Sequence, residues 1–172
     1  MNVLMIVLRI VHIFSGVFWV GVSFFNIGFL QPTVQATGTE GQKVMQHLAS
    51  QTRFAATSYT AATLTLLSGW LMYWNLYGFR LSVLASGTGL LLTIGGIAGT
   101  IAWVIAIFFI RRVLGRMEAI GGAIQEQGGP PTPDQASEMQ ASGERLVKLG
   151  QWGVGFMVVA LLGMSVAQYV RF

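Results

Sequence analysis

Hydrophobic positions in this chain gather into four long stretches that carry almost no charge, divided by shorter polar segments. They run from about Val3 to Leu30, Phe54 to Tyr77, Ser86 to Ile110 and Leu149 to Val170. Each exceeds the ~18 residues that a helix rising ~1.5 Å per residue needs to cross ~30 Å of hydrocarbon. Arg9 interrupts the first stretch near its start, and Gln31-Pro32 is expected to end it, because proline cannot continue a helix. The second stretch finishes in Trp70, Tyr73, Trp74 and Tyr77, the aromatic belt expected at a headgroup boundary. The pattern predicts an all-α, polytopic membrane protein: an antiparallel bundle of four transmembrane helices in a single domain, residues 1–172.

Helical periodicity does not stop at the membrane. Val113, Met117, Ile120 and Ile124 continue the third stretch, and Met139, Ser142, Leu146 and Leu149 lead into the fourth. Residues 111–148 are therefore expected to form a helical hairpin outside the bilayer. Its tip is Gly128-Gly129-Pro130-Pro131-Thr132-Pro133, with Asp134 available to cap the second helix. A shorter periodic run, Val44, Leu48, Gln51 and Ala55, is expected to lead into the second stretch and pack on that hairpin. The hairpin is either a water-facing stub or a docking arm.

Composition fits this picture: of 172 residues 53% are hydrophobic and 9% charged, and the mean hydropathy is +0.64. Such values lie outside the range of soluble domains. The ten Lys and Arg flank apolar stretches and form no basic stripe, so nucleic acid is not an expected partner despite the net charge of +4. Arg9, Arg80 and Arg171 fall with the termini, whereas Lys43, Arg53, Arg111, Arg112, Arg116, Arg145 and Lys148 fall with the two longer connections. The positive-inside rule makes those connections cytoplasmic and both termini extracytoplasmic. The first stretch is too long for a signal peptide and lacks a basic leader, so it is expected to stay as a span. Without cysteine there is no disulfide, thiolate metal site or covalent c-type haem.

Ionisable residues inside a span are costly in lipid and tend to be functional, which singles out Arg9 and His12, with Arg9 near enough to the end of its stretch to snorkel to the outer surface instead. His12 lies ~14 Å into its stretch, too deep for its ring to reach the surface. It is either a histidine bonded to a carbonyl or a serine, or a ligand for haem iron or another metal. His47 lies on the other side, ~30 Å away along the membrane normal, so the two cannot share one haem. Ser68, Met72, Ile97, Thr100 and Met164 reach the depth of His12. Of these, Met72 or Met164 could complete a His/Met pair on haem iron or a soft Cu(I) site. Trp19, seven residues beyond His12, shares its helix face and either lines the pocket or fills the core. Glycines 87, 89, 95, 96, 99, 150, 153, 155 and 163 either bring helices close or make room for a flat cofactor.

The segment Leu8-Arg9-x-x-His12-x-x-x-Gly16-x-x-Trp19-Val20-Gly21-x-Ser23-Phe24-Phe25 resembles the first span of the bacterial copper-resistance protein D and DUF2269-like membrane proteins. It is also similar to the membrane domain of cytochrome-bearing bacterial urate oxidases and, more loosely, to the HemJ-type protoporphyrinogen oxidase. The likeness covers about the first 30 residues, with Leu67-Ser68-Gly69 in the second stretch. It implies antiparallel helices in the bacterial inner membrane and, for some members, b-type haem or copper at the histidine matching His12. The Cys-x-x-Cys-His of the urate oxidases' electron-acceptor domain is missing here, and Lys148 is at the wrong depth for a second ligand.

Two functions are therefore expected to compete. In one, the chain binds b-type haem, or copper, near the outer face and serves electron transfer or metal handling. Arg9 would then pair a haem propionate. In the other, it holds no cofactor and is a non-catalytic accessory subunit of a larger membrane complex or homo-oligomer. Buried acids at mid-membrane, which a transporter uses for coupling, are absent from the sequence.

Overall fold

The computed structural model describes residues 3–78 and 80–170, so Arg171 and Phe172, placed above at the outer end of the fourth stretch, lie outside the described residues. The chain is helical throughout, with no strand among the described residues. Seven α-helices follow in order among them: α1 (Val3–Phe25), α2 (Gln31–Thr37), α3 (Thr39–Gln51), α4 (Phe54–Tyr77), α5 (Gly87–Val104), α6 (Arg111–Gln127) and α7 (Pro133–Val166). Three of the described helical runs are long and apolar enough to cross a membrane: Val3–Thr37, Gly87–Gln127 and Pro133–Tyr169.

The first run does not end at Pro32 as the sequence suggested. A π-helical turn, Asn26–Leu30, follows α1, and Pro32 enters the opening turn of α2, where a missing N–H does least harm. The chain turns instead at Gly38, whose φ of 58° lies in a region that suits glycine. A second π-helical turn, Ile105–Ile110, joins α5 to α6. The helix starting α3 breaks at Thr52 and Arg53, so Val44 and Leu48 belong to α3 while Ala55 opens α4. α3 packs back on α2 rather than on the hairpin.

α6 and α7 pack against each other across the turn at Gly128, and Thr132 caps α7 in place of Asp134. Thr132 Oγ1 accepts from Gln135 N at 3.3 Å, and Gln135 Oε1 accepts from Thr132 N at 2.8 Å. This reciprocal capping box puts Pro133 at the first helical position and leaves Asp134 to face the positive end of the helix dipole. Gln127 and Gln135 exchange side-chain amide hydrogen bonds across the tip, and Arg116 pairs with Glu138 lower down.

α1 packs most closely along α4, and α5 along α7; α4 also meets α5, and α1 meets α7. The buried centre draws on all four of these helices: Trp19 from α1, Ala61 and Ala62 from α4, Ala102 from α5 and Met157 from α7. Small residues dominate because close backbone approach, rather than hydrophobic expulsion, holds helices together in lipid. Large apolar side chains point outward instead, Phe14 at 75% exposure and Val17 at 69% among them. Only 6% of the most apolar stretch of the first run is buried within the chain.

The α5–α7 contact shows what the glycines do. A Cβ on Gly163 would stand 2.9 Å from the Leu91 carbonyl oxygen and 3.3 Å from the Gly95 Cα. Backbone meets backbone there, and nothing can yield cheaply. Gly163→Ala is expected to destabilise the chain by about 1–3 kcal/mol, the cost of overpacking. Gly115, where a Cβ would meet nothing within 4 Å, is the control, since alanine there gains about 1 kcal/mol of helix propensity. Thermal unfolding in mild detergent should lower the midpoint for the first variant and not for the second.

Candidate functional site

A cavity of about 270 Å³ opens between α1, α4, α5 and α7. That is close to the lower end of ligand-binding volumes, roughly 300–1,000 Å³. All five residues picked from the sequence as candidate ligands or pocket walls, Arg9, His12, Trp19, Met72 and Met164, line it. α1 also gives Met5, α4 gives Thr65, Gly69, Trp70, Tyr73 and Tyr77, and α5 gives Gly96 and Gly99.

Helical spacing explains the α1 contribution. Met5, Arg9, His12 and Trp19 recur at offsets of four, three and seven residues, which keeps them on one face. Arg9 is exposed at the cavity's edge, and Trp19, 7% exposed, closes it toward the buried centre. Trp19 therefore does both of the things weighed for it.

His12 is held by α4. Its Nδ1 lies 2.8 Å from the Thr65 carbonyl oxygen, and since a carbonyl only accepts, Nδ1 carries the proton and donates. Nε2 makes no hydrogen bond among the described residues. Ser68, 3% exposed, sets its hydroxyl 3.4 Å from the same Nδ1 while donating to the Leu64 carbonyl. Thr65 Oγ1 and Ser15 Oγ lie 2.9 Å apart, a second tie between the two helices.

Threonines face the aromatic rings on the α4–α5 side. Trp70 Nε1 donates to Thr100 Oγ1 at 3.0 Å, Trp103 Nε1 donates to Thr63 Oγ1 at 3.1 Å, and the Tyr73 and Thr93 hydroxyls share a 2.6 Å hydrogen bond. Gly96 makes space for Trp70, whose ring would lie 3.4 Å from a Cβ at that position. Trp70, Tyr73 and Tyr77 pack ring against ring along α4, with centroids 5.5 and 5.2 Å apart.

No family model, curated protein or solved structure matches the chain. The chemistry of the cavity is thus read from its own donors. They include one imidazole, the thioethers of Met5, Met72 and Met164, the hydroxyls of Thr65, Tyr73 and Tyr77, the Trp70 N–H and one guanidinium. Among the described residues no three His, Cys, Asp or Glu side chains converge on a common point. His47 is exposed on α3 and takes no part in the cavity. Ile97 reaches the depth of His12 but is half exposed on the outer surface of α5.

Met5, Gly69, Trp70, Tyr73 and Tyr77 were not among the residues picked from the sequence. Met5 was accessible to the same reasoning, being seven residues before His12. The aromatic residues resembled an interfacial belt, and a belt does not show which rings turn inward. Replacing Trp70 by Phe removes the bond to Thr100, whose hydroxyl keeps its bond to the Gly96 carbonyl. The expected loss is about 1 kcal/mol, measured as a lower unfolding midpoint in detergent with helix content unchanged.

Proposed function

We propose that this chain is a four-span protein of the bacterial inner membrane that binds b-type haem near its outer face through His12, in the service of electron transfer. The observation that carries the reading is the setting of His12: Nδ1 committed to the Thr65 carbonyl and Nε2 without a hydrogen bond among the described residues, on a wall of the cavity between α1, α4, α5 and α7. Ligating histidines characteristically donate their other nitrogen in this way.

The donor set fits haem better than a bare ion. A porphyrin brings four of its iron's ligands with it, so His12 would suffice as the protein's ligand, and Met72 or Met164 would be available as a second. Zinc, by contrast, asks three or four protein ligands of one site. Arg9 at the cavity edge would pair a propionate, and α5 presents Leu92 and the bare backbone of Gly99 to the cavity. When bound, the haem supplies one-electron chemistry. The chain's part would be to position it through His12 and to exclude water with Trp19 and Trp70. The resemblance of the first span to copper-resistance protein D and the urate oxidase membrane domain points the same way.

The fourth span in this reading is α4. At 24 residues it is ~36 Å long, enough for the bilayer. Its hydropathy is lowered by hydroxyl residues, among them Ser58, Thr63, Thr65 and Ser68, which bond backbone carbonyls of the preceding turn. Those hydroxyls are satisfied, and Thr63, Thr65 and Ser68 also face α1 or α5. The absence of native cysteine allows a direct test. Introduced cysteines at Ser82 and Lys43 report whether α4 crosses: an impermeant maleimide added to intact cells should label Ser82→Cys alone. Lys43→Cys and Gly129→Cys should react only after permeabilisation. Equal labelling of Ser82→Cys and Lys43→Cys in intact cells would rule out the fourth crossing.

For the cofactor, the protein purified in mild detergent should show a Soret band that is lost in His12→Ala and shifted in Met72→Ala or Met164→Ala. A colourless preparation containing copper would favour the second reading, a Cu(I) site of His12 with the three cavity methionines, whose soft thioethers suit that ion. A colourless, metal-free chain copurifying with large partners would instead support an accessory subunit.

A further inference from the structure

His12 and Gly69 face each other across α1 and α4. A Cβ on Gly69 would stand 2.9 Å from His12 Cε1 and 3.2 Å from Nδ1. Real Cβ atoms do not approach that closely, so any side chain at 69 displaces the imidazole. Thr65 lies one helical turn earlier on the same face of α4, and its carbonyl is the acceptor for His12 Nδ1. In an α-helix the carbonyl of residue 65 also accepts from the N–H of residue 69. One turn of α4 thus provides both the acceptor that fixes the proton and the gap through which the ring reaches it.

We propose that the Thr65–Gly69 turn presets His12: the Thr65 carbonyl holds the proton on Nδ1, leaving Nε2 to bind, and Gly69 is the positioning residue that lets the ring reach that carbonyl. The preset exists before any cofactor arrives. Its use as a haem-ligand device rests on the function proposed above; the tautomer itself does not. Ser68 is the weaker acceptor, its oxygen 3.4 Å from Nδ1 against 2.8 Å for the Thr65 carbonyl.

The test has a cofactor-free arm and a loaded arm. The chain has two histidines, so ¹⁵N-histidine labelling in a His47→Gln background leaves only the signals of His12. Protein prepared without haem should show the proton on Nδ1 and a lone pair on Nε2. Gly69→Ala should move the population toward Nε2–H. In the loaded arm, Gly69→Ala should weaken haem binding by about tenfold or more, as loss of an outer-shell partner does, and shift the Soret band. Gly115→Ala should change neither. A wild-type His12 protonated on Nε2 would overturn the proposal even if Gly69→Ala failed to fold. So would a Gly69→Ala protein with the wild-type tautomer and haem affinity. A wild type with the Nδ1–H tautomer that takes up no haem would uphold the preset and overturn the haem reading instead.

Discussion

The 2.8 Å hydrogen bond between His12 Nδ1 and the Thr65 carbonyl joins α1 to α4 at the point where the cavity begins. Its importance follows from the solvent. Hydrocarbon offers no partner to a polar group, so each one inside a spanning helix must find its own within the protein. An imidazole there needs an acceptor for its N–H, and the facing helix supplies it. The same necessity orders the surroundings: Thr65 to Ser15, Trp70 to Thr100, Tyr73 to Thr93 and Trp103 to Thr63. Polar contacts therefore specify which helix faces meet, while the apolar surfaces, alike on every side, do not.

Glycine does the complementary work. Gly163 lets α7 come within backbone contact of α5, whereas Gly69 and Gly96 give space to the rings of His12 and Trp70. The sequence left two uses of its span glycines open, close helix packing and room for a flat cofactor; the structure shows close packing at Gly163, and at Gly69 and Gly96 contact with the protein's own rings. The π-helical turns after α1 and α5 also meet glycines of α7: a side chain on Gly150 would collide with Ile27, and one on Gly153 would touch Ile105. α7 therefore receives both widened turns on residues that have no side chain.

Much of the helix order was legible in the sequence because long uncharged stretches have few alternatives to helix in lipid. The three most apolar runs follow from hydropathy alone, and α4 begins and ends at the residues expected, Phe54 and Tyr77. What escaped was local. Pro32 marks a helix interior only if the helix is regular, and the π turn before it changes that condition. Thr132 outcompetes Asp134 as a cap because Pro133 fixes the first helical position one residue earlier. In the cavity, depth arithmetic along single helices brought His12, Met72 and Met164 together, since residues at equal depth on neighbouring helices meet. Depth alone carries no rotation, so it could not tell that Ile97 faces outward, that Tyr73 and Tyr77 face inward, or that Gly69 stands against the imidazole.

The central claim is that the cavity around His12 is a haem site, and reconstitution tests it most directly. Cofactor-free protein from haem-depleted cells, titrated with haem in mild detergent and followed in the Soret region, should saturate at an equimolar ratio. The same titration of His12→Ala should give only the spectrum of haem in detergent. A wild-type titration without a saturable change, or one that His12→Ala reproduces, would contradict the account.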